Sequence, residues 1–149
     1  MDLHLERLLN LPLTTIESCQ IQDNTVTLTL GLLNEQCNCP DCQTPSEELK
    51  RNRPSLVRDL SVFSYLVYLK APRRQFYCKK CQKYFTERLD FVEWERRYTK
   101  RYEEYIFEKV KATNIQQVSR EEGLSWAQVQ GIFKHQFAKK KSLGENQKK

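Results

Sequence analysis

The chain has 149 residues and a mass of 17.8 kDa, a length that suits one ordinary domain or two small ones and excludes a large multidomain enzyme. Apolar residues make up 39% and charged residues 30%, and the mean hydropathy is −0.73, which indicates a soluble chain with a modest core. No apolar stretch approaches the ~18 residues of a membrane span, and the first residues lack the pattern of a signal peptide. We therefore expect a cytoplasmic protein.

The positive charge is concentrated in the middle of the chain. The net charge is +6, but residues 1–49 have a balance of −7, residues 50–88 of +9 and residues 89–149 of +4. A basic segment that follows an acidic segment predicts a surface that binds a polyanion. A solvated face without a partner would have the same composition, so charge alone leaves both interpretations open.

The first part of the chain predicts a helix and then a hairpin. Leu3, Leu5, Leu8 and Leu9 predict a short amphipathic helix that ends before Pro12. Two runs rich in β-branched residues, 16–22 and 25–30, predict strands that Asp23 and Asn24 join by a turn. The second run alternates strictly between apolar and polar residues, which favours a strand with one buried face.

Further strands are predicted between the cysteine pairs. Residues 56–60 and 65–71 have strand composition, and Pro72 then interrupts the pattern, as expected at a sheet edge or bulge. Cys19 falls in the first predicted hairpin, where we expect a small buried hydrophobe rather than a ligand.

Four of the six cysteines form two C-x-x-C pairs with the spacing of metal ligands. A disulfide framework is not expected in a reducing cytosol, whereas a C-x-x-C turn points both thiolates at one ion. Two such turns close a four-coordinate shell without an open position, which is typical of structural zinc. The predicted Zn²⁺ ligands are Cys39, Cys42, Cys78 and Cys81.

Other interpretations of the cysteines remain open at this point. The 35 residues between the pairs exceed the ~15–20 of compact zinc motifs, so we expect a zinc ribbon that carries one or two inserted hairpins. A redox dithiol or free core cysteines are the alternatives. Cys37 could compete with Cys39 as the first ligand, although Cys39 has the better spacing.

The last third of the chain predicts three helices. An amphipathic helix of about four turns follows Thr99, a plausible N-cap. Residues 113–116 fit a capping box that opens a short helix ending at Gly123. Residues 125–128 fit a second capping box, and we expect its helix to end near Phe137.

A short helix, a turn with Gly and a second helix form the pattern of a helix-turn-helix. Val118, Leu124, Val129 and Ile132 fall where the two helices must touch. On the outward face, Gln can read adenine, Lys can contact guanine or phosphate, and a helix N-terminus suits a phosphate. Together with two arginines of the basic segment, the candidate DNA-binding residues are Arg73, Arg74, Arg120, Ser125, Trp126, Gln130 and Lys134. One alternative is an ordinary helical hairpin whose polar face contacts only water, and another is that Trp126 packs in the core.

These elements predict an α+β protein of two modules. A small β-rich, zinc-ribbon-like module would occupy residues 1–90, with the metal supplying stability that so small a core lacks. A three-helix, helix-turn-helix module would follow over residues 91–138. Residues 139–149 are polar and basic, and we expect a disordered tail there.

Four stretches in this order resemble one known family. They are CPDC at 39–42, VRDL at 57–60, RRQFYCKKC at 73–81 and FTERL at 85–89. The order is similar to the N-terminal zinc-finger region of insertion-sequence transposases of the ISL-three type, in which a helix-turn-helix follows the finger. The resemblance covers roughly residues 5–137 and implies binding to the double-stranded DNA of the element's ends.

The sequence departs from that family in one respect. Family members continue into an RNase-H-like catalytic domain with three acidic metal ligands, whereas this sequence has only a local cluster of Asp90, Glu93 and Glu95 near its helices. Two-metal chemistry needs carboxylates that hold two ions ~3.5–4 Å apart. We therefore expect no strand cleavage by this chain, which would not be an enzyme.

Three functions compete at the level of sequence. The first is a truncated or split transposase that binds the element's ends at the nucleoid and regulates transposition. Its partners would be a second copy of the chain or a separate catalytic transposase chain. The second is a zinc-ribbon module that docks on a partner protein through the acidic segment 1–49. The third is a dithiol oxidoreductase, which a stoichiometric zinc would exclude.

Overall fold

The computed structural model describes residues 3–147, with side chains described for residues 5–144. The chain divides after Thr99 into two compact units. The first contains all the strands and the second contains three helices, so the predicted α+β class is confirmed. The elements of the first unit are α1 (Leu3–Leu9), β1 (Thr14–Gln22), β2 (Thr25–Leu32), β3 (Cys37–Asn38), β4 (Pro45–Ser46), β5 (Leu49–Asn52), β6 (Ser55–Val62), β7 (Tyr65–Ala71), β8 (Arg74–Cys78) and β9 (Lys83–Thr86).

A four-stranded sheet with the order β1-β2-β7-β6 supports the first unit. The β1–β2 and β6–β7 pairs are antiparallel hairpins, and β2 runs parallel to β7. The hairpin inserted between the cysteine pairs thus completes a sheet that the N-terminal hairpin begins. One face buries an aliphatic core made of Leu9, Ile16, Leu28, Leu30, Val67 and Leu69.

Two smaller sheets flank the two C-x-x-C turns. β3 pairs with β4, and β5, β8 and β9 form an antiparallel sheet with β8 in the centre. Their shared core consists of Cys39, Phe76, Cys78 and Phe85, and the two phenylalanine rings stack with centroids 5.8 Å apart. The unit therefore has two cores, one aliphatic and one built around sulfur and aromatic rings.

The segment between β9 and the first helix of the second unit is irregular, and hydrogen bonds to β6 fix its C-terminal end. The Arg58 N–H donates to the Arg97 carbonyl, and the Thr99 N–H donates to the Arg58 carbonyl, both at 2.9 Å. The Thr99 hydroxyl also donates to the Asp59 carboxylate at 2.8 Å. These bonds attach residues 91–99 to the β-rich unit, so the division falls nine residues later than the predicted boundary at residue 90.

The second unit consists of α2 (Lys100–Ala112), α3 (Ile115–Glu122) and α4 (Trp126–Gln147). The N-cap of α3 is Asn114, whose side chain accepts from the Gln117 N–H. The cap therefore lies one residue later than the predicted capping box at residues 113–116, because the Thr113 hydroxyl donates to the Lys109 carbonyl. It is a simple N-cap rather than a capping box, since the Gln117 side chain donates to Glu121. Gly123 ends α3 with φ of 65°, a conformation that glycine adopts without strain.

Two predictions are wrong, that Cys19 is buried and that a disordered tail begins at residue 139. Cys19 is exposed, because β1 is an edge strand whose residues after Ile16 face solvent. Residues 139–147 of the predicted disordered tail continue α4, where the Lys140 ammonium pairs with Glu104 of α2. Lys148 and Lys149 lie outside the described residues. Over residues 3–147 no helix has the length and apolar character needed to cross a membrane.

Candidate metal centre and nucleic-acid interface

The two C-x-x-C turns bring four sulfur atoms together. The Sγ atoms of Cys39, Cys42, Cys78 and Cys81 all lie within 4.8 Å of one another. The Cys39–Cys81 distance is 3.9 Å and the Cys42–Cys78 distance is 3.5 Å. A tetrahedron of sulfurs at ~2.3 Å from a central ion has edges of about 3.8 Å. The donor set and its dimensions therefore fit one tetrahedral metal ion, bound by four residues that were predicted from spacing alone.

The two turns have the same local construction. Each follows or joins a strand pair, β3–β4 for the first and β8–β9 for the second. The residue after each second cysteine is a glutamine with positive φ, 62° at Gln43 and 56° at Gln82. The Gln43 N–H closes the first turn on the Cys39 carbonyl at 2.9 Å, and the Cys81 N–H donates to the Cys78 sulfur at 3.4 Å.

The pKa values of the Cys42 and Cys81 thiols are shifted in opposite directions. Hydrogen bonds from Thr44 lower the pKa of the Cys42 thiol to about 6. A hydrogen bond with Cys42 and burial raise the pKa of the Cys81 thiol to about 12. One thiolate thus forms near neutral pH, and a bound divalent cation would release the remaining protons. The Lys83 ammonium pairs with Asp41, which ties the second turn to the first.

Cys37 does not join the cluster of sulfurs. It is half-buried beside Glu87, and burial chiefly raises its pKa to about 11. The competition between Cys37 and Cys39 that the sequence left open is therefore resolved by position, since Cys39 lies at the cluster and Cys37 does not.

The N-terminus of α4 has the reciprocal cap that the sequence predicted. The Gln128 N–H donates to the Ser125 hydroxyl at 3.1 Å, and the Ser125 N–H donates to the Gln128 side-chain oxygen at 2.9 Å. Val129 and Ile132 are buried on one side of the helix, and Val118 of α3 is buried opposite them. α3 and α4 thus pack as the two helices of a helix-turn-helix.

The outward side of α4 carries its candidate DNA contacts. Trp126, Gln130 and Lys134 are spaced four residues apart and therefore share one face. Trp126 is 51% exposed, Lys134 is exposed and Gln130 is half-exposed, so the alternative that Trp126 belongs to the core is excluded. Arg120 is exposed on α3, where its guanidinium donates to the Gln117 side chain at 3.2 Å.

The two arginines predicted at the start of β8 have opposite environments. Arg73 is exposed, whereas Arg74 is buried. The Arg74 guanidinium donates twice to the Glu87 carboxylate at 2.8 Å and once to the Asn34 carbonyl at 2.7 Å. Three of its N–H donors are thus used within the fold, and the Glu87 hydrogen bonds raise its pKa. Arg74 therefore has a structural role, and its predicted contact with DNA stays a prediction.

Sequence reasoning did not single out Trp94 or the arginines around it. The Arg88 guanidinium lies 4.9 Å and the Arg73 guanidinium 5.5 Å from the centre of the Trp94 ring, and the ring is 43% exposed. A tryptophan among arginines is the sequence signal that could have indicated a cationic and aromatic surface. The sequence does not show, however, that Arg73, 21 residues earlier, lies beside the Trp94 ring.

Fold and site together define a class of protein, one with a four-cysteine β-ribbon unit followed by a helix-turn-helix unit. Two family models match the chain accordingly. The zinc-finger of transposase IS204/IS1001/IS1096/IS1165 matches residues 35–81, and the helix-turn-helix domain of transposase family ISL3 matches residues 87–136. Residues 35–81 and 87–136 are thus similar to the zinc-finger and the helix-turn-helix domain of ISL3-type transposases, which confirms the resemblance drawn from the sequence.

A curated relative supports the same assignment. The chain is 30% identical over 96 residues to the transposase for insertion sequence element IS1001 of Bordetella parapertussis. The similar stretch covers 64% of this chain and 24% of that relative, so the chain spans about a quarter of the relative's length. No solved structure matches the chain at a significant level.

Proposed function

We propose that this protein binds double-stranded DNA at the ends of an insertion element and that α4 is its recognition helix. The observation that carries the proposal is the division of α4 into two faces. Val129 and Ile132 anchor one face in the core of the unit, while Trp126, Gln130 and Lys134 point outward. A helix held in this way can enter the major groove, whose width admits an α-helix.

Each outward residue has a proposed role. The Gln130 amide can pair with adenine, and the Lys134 ammonium can contact guanine or phosphate. Ser125 begins α4, where backbone N–H groups favour a phosphate oxygen, and Arg120 on α3 can contact the backbone of the same duplex. Trp126 can cover the sugar and base edges at the start of the helix.

We propose Zn²⁺ as the metal of the four-cysteine cluster. All-sulfur tetrahedral ligand sets are typical of zinc or of iron–sulfur centres, and the zinc-finger family match favours zinc. The ion would join the two turns and supply folding free energy to a unit with little apolar core around them. Elemental analysis of the purified protein is expected to give one zinc per chain, and a stoichiometric iron content would contradict the assignment.

A direct binding assay tests the recognition helix. Fluorescence anisotropy with an element-end duplex and a scrambled duplex is expected to show tighter binding to the former. Gln130→Ala should reduce that discrimination by about 1–3 kcal/mol. Lys134→Ala should weaken both complexes and reduce the salt slope by about one if Lys134 contacts phosphate.

Lys140→Ala is the matched control for Lys134→Ala. It removes the same charge from the same helix, at a side chain that pairs with Glu104 of α2. Its DNA affinity is expected to equal that of the unaltered protein. Equal losses in the two lysine variants, or no preference for element ends in the unaltered protein, would overturn the role of α4.

We further propose that this chain binds without cutting and acts either as a regulator of transposition or with a second chain, a copy of itself or a catalytic transposase. Such a role would place it on DNA in the cytoplasm. The carboxylates of Asp90, Glu93 and Glu95 lie in the irregular segment before α2, where no strand fixes them for two-metal chemistry. Incubation with labelled element ends and Mg²⁺ is expected to leave the strands intact, and nicking by the purified chain would contradict this proposal.

A further inference from the structure

The small sheet formed by β5, β8 and β9 has two different faces. Side chains alternate along β8, so Arg74, Phe76 and Cys78 are buried on the side of the sulfur cluster, while Gln75 and Tyr77 lie on the other side. Arg73 precedes β8 and is exposed. The outer face of this sheet is therefore separate from the metal site, although both depend on the same strand.

Strand pairing gathers arginines from distant parts of the sequence at this outer face. The Arg53 N–H donates to the Arg73 carbonyl, and the Arg73 N–H donates to the Asn52 side chain, both at 3.0 Å. The Arg51 guanidinium donates to the Gln75 side chain at 2.7 Å. Arg53 directly follows β5, and its side chain lines the same groove as that of Arg51.

The arginines line one open groove, which we call the arginine cleft. Its lining residues are Arg51, Arg53, Pro54, Ser55, Arg73, Gln75 and Thr86. No acidic residue is among them, and the polar side chains of Gln75 and Thr86 belong to a strand pair that forms its floor. Three cationic groups thus surround a polar surface without a compensating carboxylate in its lining.

A second groove continues from the first. The two share Ser55 and Arg73, and the second also contains Arg88 and Trp94. Acidic residues do line this second groove, among them Glu87, which the Arg74 guanidinium engages. Of the two grooves, the arginine cleft is therefore the one without an acidic lining residue, and Trp94 lines the second groove, where the Arg73 guanidinium lies over its ring.

We propose that the arginine cleft binds the phosphate backbone of duplex DNA, as a DNA-binding surface in addition to the recognition helix. The inference rests on the proposed function, because DNA is the polyanion that α4 would bring to the protein. Guanidinium groups present planar donor pairs that match phosphate oxygens. The polar floor offers no apolar pocket for the side chains of an acidic peptide, whereas a regular row of phosphates needs none.

The arginine cleft, rather than the metal-binding turns, would supply the phosphate contacts of the β-rich unit. The turns also carry positive charge, but Lys83 is engaged by Asp41. Lys79 and Lys80 are exposed at the second turn and do not line the arginine cleft. These two lysines therefore provide a matched control with the same loss of charge in the same unit.

The test compares Arg51→Gln/Arg53→Gln with Lys79→Gln/Lys80→Gln in the full metal-loaded chain. Binding to an element-end duplex and to a scrambled duplex is measured by fluorescence anisotropy as a function of salt. The arginine variant is expected to bind both duplexes about tenfold more weakly and to lose about two from the salt slope, since each phosphate contact contributes about 0.9. The lysine variant should retain the slope. Circular dichroism and zinc content confirm that both variants fold.

The outcomes separate this inference from the proposed function. An unchanged slope in the arginine variant, or an equal loss in the lysine variant, would overturn the arginine cleft and leave α4 as the DNA reader. If the protein shows no preference for element ends but the arginine variant still loses its salt slope, the role of α4 fails and the arginine cleft stands. Binding of polyglutamate but not of duplex DNA would assign the cleft to an acidic protein and refute the inference.

Discussion

Arg73 and Arg74 illustrate how much one residue of register matters. They are adjacent in the sequence, yet Arg73 is exposed at the arginine cleft and Arg74 is buried against Glu87. The sequence predicts a basic surface there because eleven basic residues fall between 50 and 88. It does not distinguish the two arginines, since their environments depend on which face of β8 packs on the sulfur cluster.

Arg74→Ala is expected to destabilise the β-rich unit by about 3 kcal/mol, because Glu87 would remain largely buried without its partner. Arg74→Lys should restore only part of the loss, since an ammonium cannot replace both guanidinium hydrogen bonds. Urea unfolding of the metal-loaded chain, followed by circular dichroism, measures the effect. Arg73→Ala is the control, with an expected change within about 0.5 kcal/mol; equal destabilisation by the two alanine variants would refute the structural assignment of Arg74.

At the scale of elements, the features encoded by neighbouring residues were predictable. The turn at Asp23 and Asn24, the capping box at the start of α4 and each of the two C-x-x-C turns depend on residues within a few positions of one another. The two cysteine pairs are 35 residues apart, and they were joined because a closed zinc shell needs four ligands. The parallel pairing of β2 with β7 was not predicted, because it joins residues about 40 positions apart and leaves no local signal. For the same reason Arg51, Arg53 and Trp94 were not associated with Arg73.

Ser125 has a structural and a proposed binding role that two variants can separate. Ser125→Ala removes the cap of α4 and should cost about 1 kcal/mol of stability. Ser125→Asp keeps a cap and is favoured by the helix dipole, but its charge would repel a phosphate. We expect Ser125→Asp to retain stability and lose DNA affinity.

Ser142→Asp provides the control for added charge, because Ser142 is exposed on α4 four turns beyond the proposed contact. Thermal unfolding and anisotropy report the two properties independently. Full DNA affinity in Ser125→Asp would show that the start of α4 does not approach a phosphate.

At the scale of the whole molecule, separate cores predict a graded response to metal removal. The aliphatic core of the four-stranded sheet contains none of the four clustered cysteines, whereas the core of the small sheets is built on Cys39 and Cys78. The helical unit forms its own core around Val118, Val129 and Ile132. Loss of the ion should therefore affect the small sheets first.

Hydrogen exchange with and without a chelator tests this order. Amides of β5, β8 and β9 are expected to lose protection, while those of β2, β7 and α4 retain it. Cys78→Ser should reproduce the pattern, and Cys19→Ser, which alters an exposed thiol outside the cluster, should leave it unchanged. Uniform loss of protection throughout the chain would show that the cores unfold together.

The two-faced strand β8 also constrains how this sequence can change over generations. Inserting or deleting one codon between Ala71 and Arg74 would exchange the faces of every residue that follows, turning Cys78 and Phe76 outward and Gln75 inward. Such a change would abolish the metal ligand and the basic surface in one step, although no functional residue is replaced. Length variants should therefore accumulate in connections that set no strand register, such as residues 10–13 between α1 and β1, while the spacing from Arg73 to Cys81 stays invariant.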